Sequence, residues 1–126
     1  LDASKKYGDV IGQLSAYNVE AHIASQRGDF EMAIEKYFVA LKVMEKYEGE
    51  RKLENKASIL GNLSGVFFYL DDYESARKYV AQELEIGRAL GNLENISFAL
   101  VRMGIMEEKL GNYDASIKSG LEAEKT

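Results

Sequence analysis

The residue types that carry out reactions in proteins are sparse in this sequence. His22 is the only histidine, and the chain contains no cysteine. A metal site, or a nucleophile paired with a base, needs further partners at fixed spacing, and His22 has none. The neighbouring acids Asp71 and Asp72 stand where a helix is predicted to begin, so they indicate a turn and a cap. We therefore predict no catalytic residue, no metal and no cofactor, and we expect that the protein is not an enzyme.

Two adjacent aromatic residues, Phe68 and Tyr69, are suited to binding instead. The apolar residues Leu63, Val66 and Phe67 already define the buried side of the helix that contains them. Neighbouring residues of a helix point in different directions, so Phe68 and Tyr69 cannot both face that side. We expect one of the two to be exposed or to contact a partner.

The overall charge and hydropathy exclude several classes of protein. The formal net charge is -5 and the pI is about 5.0, whereas nucleic-acid binding requires a basic surface. No apolar stretch approaches the length of a membrane span, so we expect no membrane insertion. The content of hydrophobic residues, 46%, is enough for a folded core. We expect a cytoplasmic protein, with the periplasm as the alternative.

A short pattern occurs three times and indicates an internal repeat. In each copy an Asp or Asn precedes an aromatic residue, an acid follows it, and a small residue stands three positions after the aromatic. Asp29, Asp72 and Asn112 begin the copies and stand 43 and 40 residues apart. The first residue can cap a helix, the acid suits the start of the helix dipole, and the small residue allows a neighbouring helix to approach. Steps of this length are typical of stacked repeats.

Apolar residues at steps of three and four predict six helices between these turns. The helices span about residues 9–27, 30–47, 53–70, 73–90, 93–110 and 113 onward. Residues 48–52 are charged and are predicted to form a loop. The predicted stops are Gly8, Gly28, Gly49, Asp71, Gly91 and Gly111. The clearest buried stripe consists of Ile59, Leu60, Leu63, Val66, Phe67 and Leu70, and Ile11, Leu14, Tyr17, Ala21 and Ala24 form the first one.

These hairpins resemble tetratricopeptide repeats. The resemblance rests on large residues in the first helix of each pair, small residues four positions later, and the turns. The matching residues are Tyr17, Leu60 and Leu100; Ala21, Ser64 and Gly104; and Ala33, Ala76 and Ser116 in the second helices. The segment 60–63, Leu-Gly-Asn-Leu, is similar to the longer-spaced subgroup with repeats of about 40 residues. Glu20, Glu83 and Glu107 depart from the family pattern, which indicates either a local shift of register or open packing.

The resemblance implies an all-α fold, a right-handed solenoid of antiparallel helix hairpins. It divides residues 1–126, a single repeat domain, into the tail of a preceding helix (1–8) and repeats at 9–47, 51–90 and 93–126. We expect the chain to be part of a longer protein. The family's first helices line a concave groove, and the matching positions here are Ser15, Asn18, His22, Ser25, Gln26, Ser58, Asn62, Gly65, Phe68, Tyr69, Phe98, Arg102, Ile105, Glu108 and Lys109.

From these positions the predicted peptide-binding residues are Asn18, His22, Gln26, Asn62, Phe68, Tyr69, Phe98, Arg102 and Lys109. Amides can bond a peptide backbone, aromatic rings can hold an apolar side chain, and Arg102 with Lys109 can bind an acidic group. We therefore expect a protein or peptide partner, within a larger regulator or scaffold. Two alternatives remain open: self-association through uncapped repeat ends, giving a homo-oligomer, and a sensory input domain of a bacterial regulator or sensor kinase.

Overall fold

A computed structural model of the protein describes residues 3–46 and 51–125, and within these ranges it contains six α-helices and no strand. The all-α prediction is confirmed. The helices are α1 (Ala3–Gln26), α2 (Phe30–Glu45), α3 (Lys52–Tyr69), α4 (Tyr73–Leu90), α5 (Leu93–Lys109) and α6 (Tyr113–Glu124). The predicted end of the second helix at Tyr47, the stop at Gly49 and most of the predicted loop at 48–52 lie outside the described residues.

The helix end predicted at Gly8 is wrong. α1 runs without interruption from Ala3 to Gln26, so Gly8 lies inside a helix. A glycine in a helix interior costs about 1 kcal/mol relative to alanine, but it keeps its backbone N–H and does not break the hydrogen-bond ladder. The helix therefore continues through Gly8 despite this cost.

The chain divides into two compact units, Leu1–Ile59 (unit 1) and Leu60–Thr126 (unit 2). Unit 1 contains α1, α2 and the beginning of α3. Unit 2 contains the remainder of α3 and the helices α4, α5 and α6. The boundary falls within α3 and not at a predicted repeat boundary. The division into three repeats and the right-handed stacking remain predictions.

Four helix ends share one backbone geometry. At each, a residue with positive φ follows the helix, and the next residue donates its N–H to a carbonyl five positions back. This arrangement satisfies the last free carbonyls of a helix. The residues with positive φ are Gly28, Asp71, Gly91 and Gly111, so these four predicted stops are confirmed. Asp71 is the non-glycine member, and its carboxylate accepts a hydrogen bond of 2.8 Å from the Tyr73 hydroxyl.

The residue after each stop is the N-cap of the next helix, and three of these four residues accept a capping hydrogen bond with their side chains. Asp29 accepts from Met32 N, Asp72 from Ser75 N, and Asn92 from Asn95 N, at 3.1 to 3.2 Å. Asn112 makes no such bond, so the side-chain cap that the repeat pattern predicted there is wrong. The turns therefore stop one helix and start the next within two residues.

Replacing Asp72 by alanine is expected to lower the free energy of unfolding by about 1 kcal/mol. The substitution removes bonds from both the backbone N–H and the hydroxyl of Ser75 to the Asp72 carboxylate. Asn112→Ala is the matched control, because it occupies the same position in its turn without a capping bond, and it should cost less than about 0.5 kcal/mol. Urea denaturation of both variants measures the difference, and equal losses would contradict the capping role of Asp72.

Small residues lie where neighbouring helices meet in unit 2. The buried Ser64 hydroxyl in α3 donates to the Ala76 carbonyl in α4 at 2.9 Å. A β-carbon added at Gly104 in α5 would lie 3.4 Å from the Ser116 carbonyl in α6. Both contacts join a small residue of one helix to a small residue of the next. The close approach predicted from the repeat pattern is therefore present in both hairpins of unit 2.

The core follows most of the two predicted stripes, in which Tyr17 and Phe67 are half-buried and two residues are exposed. Leu63, Leu60, Ile59 and Val66 of α3 are buried, as are the predicted residues Leu14, Ala21 and Ala24 of α1. Ile11 and Leu70, which were predicted to be buried, are both exposed. Leu70 lies one residue beyond the end of α3, where the chain turns, so the helical spacing that placed it inward no longer applies.

Candidate functional site

A recess of about 220 Å³ lies between α3 and α5 in unit 2. Each helix contributes three residues at the same spacing, i, i+3 and i+4, which places them on one helical face. Its lining residues are Gly65, Phe68, Tyr69, Arg102, Ile105 and Met106. Met106 is buried, Ile105 is exposed, and a β-carbon at Gly65 would meet no atom within 4 Å. The missing side chain at Gly65 therefore leaves the recess open.

The three consecutive aromatic residues of α3 have different environments. The Phe67 ring stacks on Tyr79, with centroids 5.5 Å apart, and the Phe68 ring meets Tyr73 edge-on at 5.6 Å. Tyr69 is 73% exposed. The prediction that Phe68 and Tyr69 could not both be buried is confirmed. The edge-on contact with Tyr73 of α4 holds Phe68 in place at the recess, beside the exposed Tyr69.

Arg102, at the edge of the recess, forms an ion pair with Glu83 of α4. Its Nη2 donates to Glu83 Oε1, and its Nε donates to the Phe98 carbonyl at 3.4 Å. Glu83 is only 5% exposed. A β-carbon at Gly61 would overlap Glu83 Oε2 and would lie 3.3 Å from Arg102 Nη1. The glycine therefore provides the space in which a buried carboxylate meets the guanidinium.

Burial raises the pKa of the Glu83 carboxyl above its usual value, and the nearby positive charge of Arg102 opposes this shift only in part. Removing a carboxylate from water disfavours its charged form. Since the folded state binds the proton of Glu83 more tightly than the unfolded chain does, this group favours folding at low pH. Its contribution is lost as the pH rises through the pKa of the folded state.

The Glu83→Gln variant tests this sign. The free energy of unfolding of the wild type, relative to that of the variant, is expected to increase as the pH is lowered from neutral toward about 4.5, because glutamine cannot take up the proton. Urea titrations of both proteins across this range measure the difference. If the wild type instead gains relative stability with rising pH, the charge of Arg102 outweighs burial and folding lowers the pKa of Glu83.

The other two departures from the repeat pattern are also paired with cations on neighbouring helices. Glu107 of α5 is buried and bonds Arg77 of α4 at 3.1 Å. Glu20 of α1 bonds Lys36 of α2 at 3.1 Å. Lys36, whose pKa the Glu20 carboxylate raises, also lies 5.8 Å from the centre of the Tyr17 ring. Open packing is therefore the wrong interpretation at Glu83 and Glu107, because ion pairs between helices occupy both places.

The predicted binding residues fall into separate groups. Phe68, Tyr69 and Arg102 are brought together at the recess. Asn62, Phe98 and Lys109 are exposed residues of α3 and α5 that do not line it. Asn18, His22 and Gln26 belong to α1 in unit 1, where His22 and Gln26 are exposed. The Asn18 Oδ1 atom is enclosed and has no hydrogen-bond partner within the described part of the chain. The binding roles of these nine residues remain predictions.

The sequence did not predict that Met106 and Glu83 take part in the recess and its surroundings. Met106, which is buried and forms a wall of the recess, was not among the predicted binding residues, and Glu83 was noted only as a departure from the pattern. Sequence carries one relevant signal, which is a glycine inside a predicted helix at Gly61. A missing side chain leaves room for a group from another helix, but the sequence does not say which group fills it.

Comparison with solved structures agrees with this architecture. The N-terminal domain of stress-induced protein-1 (STI-1) from C. elegans matches with a TM-score of 0.76 and 16% identity, over 90% of this chain and 84% of that one. The fold is a tetratricopeptide-like helical repeat. BtubC (BKLC) from P. vanneervenii also matches, with a TM-score of 0.53 and 17% identity. The match covers 89% of this chain and 62% of BtubC. No protein-family model and no curated protein sequence matches the chain.

Among the described residues, no helix is both long enough and apolar enough to cross a membrane.

Proposed function

We propose that this chain is an interaction module that binds a peptide segment without catalysing a reaction, and that an apolar side chain of the peptide occupies the recess between α3 and α5. The supporting observation is the composition of that recess. Phe68, Ile105 and Met106 offer apolar surface, and Gly65 leaves space for a side chain. Binding pockets are typically apolar with few polar groups. A regulator or scaffold is the kind of larger protein in which such a module would act.

The exposed ring of Tyr69 supports the same function. An aromatic side chain that is 73% exposed has most of its surface in contact with water. Beside an apolar recess, however, it can cover a bound side chain and bury additional apolar area. Aromatic residues of this kind frequently carry much of the binding energy at protein interfaces.

The test is selection of a library of short, uncharged peptides, each with a single phenylalanine or leucine, followed by fluorescence anisotropy of the peptides that bind. Tyr69→Ala is expected to weaken binding about tenfold or more, and Gly65→Leu is expected to abolish it by filling the recess. Tyr113→Ala is the matched control, because Tyr113 is similarly exposed, at 65%, and lies outside the recess. Failure to select any peptide, or binding that is unaffected at Tyr69 and Gly65, would refute the proposal.

A second candidate, self-association, is favoured by an apolar stripe on α6. Tyr113, Ile117 and Leu121 are spaced by four residues and are all exposed. In the repeat alignment Ile117 corresponds to Arg77, one of the residues with which α4 contacts α5. The same face of α6 can therefore accept another helix, and we suggest α1 of a second copy, where Val19 and Ile23 are exposed.

Sedimentation equilibrium over a range of protein concentrations tests self-association. The wild type is expected to form dimers or larger assemblies, and Ile117→Lys is expected to remain monomeric, because a charged side chain would have to be buried. A wild type that is monomeric at all concentrations would contradict this candidate. Since Tyr69 and Ile117 lie on different surfaces, the two proposed functions are tested by different substitutions.

A further inference from the structure

Arg102 is the only charged side chain among the six residues that line the recess. On its own, a guanidinium at the edge of a binding site would attract a carboxylate, because its planar donors match the two oxygens of that group. The charge that the recess presents to a ligand therefore depends on what Arg102 already contacts.

The guanidinium is held from two sides within unit 2. Its Nη2 contacts the Glu83 carboxylate and its Nε donates to the Phe98 carbonyl at 3.4 Å. The side chain of Glu83 is 7% exposed, whereas that of Arg102 is 37% exposed. A carboxylate with so little access to water depends on Arg102 for compensation of its charge. The pair therefore has a buried anionic part and an accessible cationic part.

Three helices contribute to this arrangement. Gly61 of α3 leaves the space, Glu83 of α4 fills it, and Arg102 of α5 closes it toward the recess. A β-carbon at Gly61 would also lie 3.2 Å from Glu83 Cδ, so the carboxylate occupies the volume of a missing side chain. The position of Glu83 is therefore fixed by packing, and if Arg102 moved away the buried carboxylate would lose its compensating charge.

We propose that Glu83 determines the ligand specificity of the recess by compensating the charge of Arg102, so that the recess accepts an uncharged apolar side chain and discriminates against an adjacent carboxylate. This inference rests on the proposed peptide-binding function. A ligand carboxylate bound to Arg102 would approach the Glu83 carboxylate, and like charges repel. The ligand carboxylate would also compete with the buried Glu83 carboxylate for hydrogen bonds from Arg102. We therefore expect a neutral ligand at the recess, and not the acidic group that was expected from Arg102 and Lys109.

The experiment compares two peptides that differ at one residue. The first is an uncharged peptide that is selected from the library described above and has glutamine next to its apolar anchor. The second has glutamate in place of that glutamine. The dissociation constants of both are measured by fluorescence anisotropy with the wild type and with Glu83→Gln. The wild type is expected to prefer the glutamine peptide. In Glu83→Gln the relative affinity for the glutamate peptide should rise about tenfold, since Arg102 keeps its position but loses its compensating charge.

Glu107→Gln is the matched control. Like Glu83, Glu107 is a buried glutamate paired with an arginine between α4 and α5, but its partner Arg77 does not line the recess, whereas Arg102, the partner of Glu83, does. Both substitutions remove one negative charge, so both reduce the long-range repulsion between the protein and an acidic peptide to the same extent. Only Glu83→Gln should change the preference between the two peptides. A similar shift in Glu107→Gln would assign the effect to net charge and overturn the proposal.

The double variant Glu83→Gln/Arg102→Leu tests whether the effect passes through Arg102. It removes both members of the pair, so the ratio of the two dissociation constants should lose the shift toward the glutamate peptide, whatever the affinity of each peptide becomes. This variant also provides the decisive comparison if Glu83→Gln alone does not fold, because a marked preference for the glutamate peptide without Arg102 would refute the proposal. If the glutamine peptide binds and the preference does not change in Glu83→Gln, the specificity inference fails alone. If no uncharged peptide binds, the proposed function fails with it.

Discussion

Replacing Leu63 by alanine is expected to lower the free energy of unfolding by about 3 kcal/mol. Leu63 is 0% exposed and lies in the middle of α3. The substitution removes buried methyl groups and leaves a cavity that surrounding side chains fill only in part. Small domains are stable by only about 5–15 kcal/mol, so this loss is a large share of the total. Thermal and urea denaturation followed by circular dichroism measure it.

Leu70→Ala is the matched control for this prediction. The residue type and the substitution are the same, and Leu70 stands seven positions later in the sequence. Leu70 is 47% exposed and follows the last residue of α3. Its truncation should therefore cost less than about 1 kcal/mol. Similar losses for the two variants would show that Leu70 belongs to the core, as the apolar spacing alone predicted.

Replacing Gly61 by alanine is expected to lower the free energy of unfolding by about 2 kcal/mol, although alanine is the better helix former by about 1 kcal/mol. The new β-carbon would overlap Glu83 Oε2, the far end of a side chain that is buried and paired with Arg102. Moving that carboxylate would weaken the ion pair or shift the helices apart, and both outcomes outweigh the gain in helix propensity. Urea denaturation measures the net effect.

Gly65→Ala provides the comparison on the same helix. Gly65 stands four residues from Gly61, and a β-carbon there meets no atom within 4 Å. This variant should gain about 0.5–1 kcal/mol from helix propensity. A double-mutant cycle completes the test, because Gly61→Ala should cost much less in a Glu83→Ala background. A stabilising effect of Gly61→Ala in the wild type would show that Glu83 can move at little cost.

The two ion pairs between α4 and α5 run in opposite directions. α4 supplies the cation to Glu107 through Arg77, and it supplies the anion to Arg102 through Glu83. A change in which helix packs on α4 would place like charges together or leave a buried charge without a partner. Charge patterns of this kind act mainly on the choice of partner and contribute less to the stability of the correct pairing. The departures at Glu83 and Glu107 thus fit the hairpins of this chain to one another.

The helix turns were predictable because their determinants are local. Gly28, Gly91 and Gly111 adopt positive φ, and the predicted caps Asp29 and Asp72 accept hydrogen bonds from the helices that follow, whereas the third predicted cap, Asn112, does not. A left-handed residue and a capping side chain act on atoms within a few positions of themselves. The prediction failed at Gly8 for a related reason. A glycine permits a helix end but does not require one, and what lies on either side decides whether the helix continues.

By itself, the sequence determined the helices, their stops and the small residues at which paired helices approach, because spacing along the chain fixes which residues share a helical face. It also indicated that Phe68 or Tyr69 had to be accessible. Only the tertiary structure decided that Gly61, Glu83 and Arg102 meet beside the recess. These three residues stand on three helices and about 20 residues apart in the sequence. The charge that one side chain presents depends on its neighbours in space, which spacing along the chain cannot identify.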